Sequence, residues 1–162
     1  MGFLPIILAI LGFVFLWGIV NYQSLRMRKI QVKKCEDEVL QAAGHRDEAL
    51  KKLLAQDDEN AALQELSDFI NRKLEASSGA GQSIAEKLKQ EKVLGELVAD
   101  VPPPSGHAAY EEAYDTLQKS HLRYRQSVNS YRKSIRDYNE LIEKNPTRML
   151  AGIAGFKSMT NP

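Results

Sequence analysis

The chain begins with an unbroken apolar run and then shifts to amphipathic patterns of helical period. From Gly2 to Tyr22 no residue is charged, and almost every position is Ile, Leu, Val, Phe, Trp, Ala or Gly. The 19 residues from Phe3 to Asn21 would rise about 28 Å as a helix, close to the hydrocarbon thickness of a bilayer. Pro5 falls in the first turn, where a missing N–H costs little. Trp17 and Tyr22 fall near the exit end, where amphipathic rings favour the interface. The pattern predicts a transmembrane anchor over 1–22. A cleaved signal peptide is the competing reading. The absence of Lys and Arg before the run, its length, and the lack of a small-x-small site before Tyr22 argue against it.

Beyond Tyr22 no Pro or Gly occurs until Gly44, and no other until Gly79. Val32, Cys35, Val39, Ala42, Ala49 and Leu53 share one helical face, and Ala62, Leu63, Leu66, Phe69, Ile70 and Leu74 continue an apolar stripe. The spacing predicts one long helix over about 24–76, entered from the span with little or no linker. The polar run Asp57-Asp58-Glu59-Asn60 marks either an irregularity or the cap of a second helix. Ser77-Ser78-Gly79-Ala80-Gly81 reads as a loop. A shorter helix over about 83–98 carries Ile84, Leu88, Val93, Leu94, Leu97 and Val98, and Pro102-Pro103-Pro104-Ser105-Gly106 stops it.

The clearest periodicity comes last. Tyr110, Tyr114, Leu117, His121, Tyr124, Val128, Tyr131, Ile135, Tyr138 and Ile142 follow steps of four and three, and nine of these ten are apolar or tyrosine. This is a heptad seam of coiled-coil type. The helix it predicts, over about 108–144, would be about 54 Å long and needs a partner along its seam. The first long helix, running antiparallel, is the expected one, and Asn145-Pro146 ends the segment. The tyrosines read as core packing: a stacking platform for single-stranded nucleic acid would want a richer basic groove. The fold class expected is all-α, with a bundle over 23–146 and an apolar tail over 147–162. In that tail Met149, Leu150, Ile153 and Phe156 share a helical face, suited to folding back as core or to docking on a partner or the bilayer surface.

Charge adds an orientation. Arg26, Arg28, Lys29, Lys33 and Lys34 follow the span closely, so the positive-inside rule places the N-terminus outside and the helical domain in the cytoplasm. Over the whole chain 22 basic residues nearly balance 21 acidic ones, so no global field points to nucleic acid. Cys35 is the sole cysteine, which excludes an internal disulfide framework and a Cys-based zinc site. No Gly-rich phosphate loop, HExxH motif or Cys/His metal spacing occurs. His45, His107 and His121 lie far apart, and none has a second ligand one turn away on its own face. The acidic triplets Glu36-Asp37-Glu38 and Asp57-Asp58-Glu59 read as solvated faces. No Ser or Cys is set with a His and an acid as a nucleophile requires. The sequence thus predicts no catalytic, cofactor-binding or metal-binding residues and no small-molecule substrate.

Two segments carry a family resemblance. Asn21-Tyr22-Gln23-Ser24-Leu25 follows the anchor at once and leads into a basic helix. The run SVNSYRKSIRDYNELIEKNPTRMLAGIAGF repeats Tyr and Asn every turn or two, then reaches a Pro step and a closing Gly-Phe. Tyr131, Tyr138, Asn139, Ile142, Pro146, Ile153, Gly155 and Phe156 carry the pattern, which resembles the final helix and tail of the LemA family of bacterial membrane-anchored proteins. The resemblance covers about half of the chain. Only Arg46-Asp47 echoes the family's basic-basic-acidic segment, and Pro102–Gly106 replaces its aromatic-Pro stretch. The resemblance implies an antiparallel bundle of long helices with one N-terminal span in a bacterial cytoplasmic membrane. It implies no activity.

The function class expected is a non-enzymatic, membrane-anchored scaffold or interaction protein, self-associating or holding a membrane protein complex. Its partners are then the lipid bilayer and a second copy or another membrane protein. An accessory subunit of a membrane enzyme or protease is one alternative. A ligand- or metal-responsive sensor using a bundle cavity and His121 is another.

Overall fold

The computed structural model describes residues 3–56, 64, 66–72, 84–99, 101, 103, 108–144 and 147–160. Among these, regular structure is entirely helical: α1 (Phe3–Leu54), a helical stretch over 66–72 (α2), α3 (Ile84–Ala99), α4 (Ala108–Glu143) and α5 (Thr147–Ile153). The breaker sequences at 57–60, 77–81, 104–106 and 145–146, together with Pro102, lie outside the described residues.

α1 runs without interruption from the apolar stretch into the amphipathic one, through 52 residues. It does not continue to residue 76 as the periodicity predicts. It ends at Leu54, where the Ala55 N–H still bonds the Lys51 carbonyl at 3.1 Å but the Gln56 N–H tightens onto Leu53 at 3.0 Å. That three-residue step is the usual closing turn of a helix, and Lys51 and Lys52 place positive charge at the negative end of the helix dipole. The Asp and Asn residues that follow in the sequence are of types with low helix propensity.

The chain divides into two compact units, Met1–Glu36 with Ser130–Asn161, and Asp37–Asn129. In the first, Leu25, Val32 and Cys35 of α1 are buried, as are Tyr131, Ile135, Tyr138 and Ile142 of α4. Arg28 pairs with Asp137 at 3.7 Å, and the charge of Glu36 acts on the Tyr131 hydroxyl. In the second, Ala49, Leu50 and Leu53 of α1 share one apolar core with Leu66 and Ile70 of α2, Leu94 and Val98 of α3, Val101, and Tyr110 and Leu117 of α4. Each full burial of an aliphatic chain of this kind is worth about 1.5–3 kcal/mol, and this sets which helix faces turn inward.

α5 is short, and its inward face is the small one. Thr147 and Ala151 are buried, while Met149 and Ile153, two residues on and so on the opposite side, are 72% and 85% exposed. The four apolar tail residues therefore do not fold back together as core: Leu150 and Phe156 are half-buried and the other two face outward. The helix closes on Gly155, whose φ of 72° places it in the left-handed region, and the Phe156 N–H bonds the Ala151 carbonyl at 2.9 Å. This is the six-to-one bond of a Schellman cap.

Candidate functional site

In the unit formed by Met1–Glu36 and Ser130–Asn161, the structure gathers several of the residues singled out by the sequence. Among the described residues one helix, α1, is long and apolar enough to cross a membrane, and none of its most apolar window is buried within the protein. Phe3 is exposed, Trp17 half-buried and Tyr22 exposed, at successive levels of this stretch. The Gly155 turn delivers Phe156 to the exit end of the stretch. There its ring meets Tyr22 edge-on, with centroids 5.8 Å apart and planes at 65°. Lys29 Nζ lies 5.8 Å from the same ring, within cation–π range. Arg26, Arg28, Lys29, Lys33 and Lys34 are all exposed. The chain after Phe156 is held against α4: the Tyr138 hydroxyl donates to the Lys157 carbonyl at 3.3 Å. Asn139 donates to the Met159 carbonyl at 2.7 Å and accepts from the Met159 N–H at 2.8 Å.

All ten seam positions of α4 are withdrawn from solvent. Tyr110, Leu117, Tyr124, Tyr131, Ile135, Tyr138 and Ile142 are buried, and Tyr114, His121 and Val128 are half-buried. Burial pushes the Tyr131 hydroxyl above its ordinary value, helped by the charge of Glu36, and burial alone does the same for Tyr138. Both stay protonated and serve as packing groups, and Tyr138 is also a donor.

The Asp37–Asn129 unit holds a group that the sequence patterns did not single out. Arg46 is 0% exposed. Its Nη2 donates to Glu91 Oε2 on α3, itself buried, and its Cζ sits 4.3 Å above the centre of the Tyr124 ring on α4. One guanidinium thus bonds to one helix and stacks on another. Burial lowers the Arg46 pKa, with Asp47 opposing the shift, and a guanidinium remains charged even so. His121, one turn before Tyr124, is pushed below its ordinary value by burial first and then by the charges of Arg46 and Arg125. Gly95 of α3 lies beside it: a Cβ there would stand 3.4 Å from His121 Cε1, an ordinary contact. A signal for this cluster does exist. Arg46 occupies the step between Ala42 and Ala49 on the buried stripe of α1, and Glu91 the step between Leu88 and Leu94 on that of α3. Each is a lone charge on an apolar face, and the two charges are opposite.

The arrangement is suited to holding helices in register. A guanidinium does not exchange protons near neutral pH. Among the described residues no three His, Cys, Asp or Glu side chains stand close enough to hold a metal ion. Comparison of the chain with family models, curated proteins and solved structures gave no match.

Proposed function

We propose that this protein is a membrane-anchored, non-enzymatic helical interaction protein, tethered by residues 3–21 and presenting its remaining helices at the membrane surface. The observation that carries the reading is the apolar stretch of α1, which the rest of the chain leaves uncovered. Phe3, Phe13 and Phe15 are 81%, 71% and 70% exposed, a cost that water imposes and lipid removes. Continuity of α1 past Tyr22 favours a retained anchor over a cleaved leader. The five basic residues after the span favour an N-terminus outside and helices in the cytoplasm. An antiparallel run of α1 and α4 is part of the proposal. It is supported within the Met1–Glu36 and Ser130–Asn161 unit by two links of falling register, Arg28 with Asp137 and Glu36 with Tyr131. The resemblance of the two flanking segments to the LemA family supports the same architecture.

Alkaline carbonate extraction of membranes tests the anchor. The full chain stays in the pellet with its N-terminal residues present by intact mass, and deletion of residues 3–21 releases it. A mature chain that begins beyond Tyr22 would sink the proposal. Crosslinking in intact membranes followed by mass spectrometry tests the interaction role. It returns contacts to a second copy or to another membrane protein, and a chain that sediments as a monomer and crosslinks to nothing is not a scaffold.

A further inference from the structure

We propose that α5 makes a second contact with the membrane, lying in the headgroup region with Met149 and Ile153 in lipid. The proposal rests on the anchor reading above and adds a lipid-binding surface to it.

Three observations converge on this occupant. The outward face of α5 carries Met149 at 72% and Ile153 at 85% exposure, although two buried residues and a glycine cap hold the helix in place. Its end is tied to the foot of the span, since Phe156 packs on Tyr22, near the exit end of the apolar stretch, and lies under Lys29. An apolar face fixed at that level continues the lipid-exposed surface of α1. The charge pattern fits the same surface. No acidic residue occurs before Glu36 or after Asn145, whereas Arg26, Arg28, Lys29, Arg148 and Lys157 are present and exposed. Anionic headgroups complement such a field, and short amphipathic segments bind interfaces through this combination of apolar face and basic flank.

Trypsin cuts after Arg148 and Lys157, so the native sequence releases residues 149–157 as one peptide and residues 1–26 as another. The unmodified full chain is reconstituted in nanodiscs of phosphatidylcholine and phosphatidylglycerol. These contain a phospholipid with a diazirine near the head end of its acyl chain and, separately, one with the diazirine at the chain terminus. Irradiation is expected to attach head-end lipid to peptide 149–157 and chain-terminal lipid to peptide 1–26. The double variant Met149→Asp/Ile153→Asp, which touches no buried position, is expected to lose the first adduct and keep the second. Labelling of 1–26 without 149–157 would overturn the interfacial helix and leave the anchor standing. Labelling of neither would overturn the anchor and this inference with it. Photo-crosslinks from residue 149 or 153 to a second copy or another protein, with no lipid adduct, would also overturn it.

Discussion

Arg46 keeps a full charge where water does not reach, and Glu91, the face of Tyr124 and the charge of Asp47 offset the desolvation. Removing one partner of such a pair is worse than removing both. Glu91→Ala leaves the guanidinium uncompensated and is expected to cost about 3–5 kcal/mol. The double variant Arg46→Met/Glu91→Met is expected to lose less than Glu91→Ala alone. Chemical denaturation of the full chain in micelles measures both, and a double-variant loss equal to or above that of Glu91→Ala would show that the lone buried guanidinium carries no extra cost. His121 gives a prediction in pH. Its folded pKa lies below the ordinary 6.5, so the unfolded chain binds the extra proton first as pH falls. Stability contributed by the neutral imidazole is therefore complete above that value and is lost as pH drops from it toward the depressed folded value. Thermal melts across this window should show the loss in the parent chain and a flatter profile in His121→Gln.

Among the elements, α5 depends most on a single backbone position. Gly155 holds a φ of 72°, and a Cβ added there would have no heavy atom within 4 Å, so a side chain meets strain from the backbone alone. Gly155→Ala is expected to cost about 1 kcal/mol and to free Phe156 from Tyr22. Faster amide exchange at Phe156 and Met159 in the variant is the readout, and unchanged protection would mean that the cap does not position the tail. The elements also differ in how far the sequence discloses them. The seam of α4 is legible because all ten of its positions answer to one period and all ten are withdrawn from solvent. The end of α1 is not, because Leu63, Leu66 and Ile70 resume an apolar stripe at helical spacing. Periodicity therefore carries no mark of the stop at Leu54. In α5 Met149 and Ile153 turn away from the buried face, which Thr147 and Ala151 occupy. The link between Arg46 and Glu91 spans 45 positions. Each charge is visible on its own stripe, but their pairing is not a local property.

For the whole molecule, the proposed anchor raises the question of which side of a bilayer would carry the helices. With residues 3–21 as the proposed anchor, the five basic residues close behind them predict the cytoplasmic side. A membrane-impermeant amine reagent applied to intact cells should leave exposed lysines such as Lys89 and Lys119 unmodified and should modify them once the cells are opened. Modification of both in intact cells would reverse the topology. The untagged chain is the right subject for that assay, for a reason that lies in Asn139. Its amide and carbonyl both engage Met159, so the segment around Met159 is held against α4. A reporter inserted shortly after Met159 would compete with this clasp for space. Localisation or complementation results from such a fusion would then report on the reporter as much as on the protein, and an insertion elsewhere would be the safer handle.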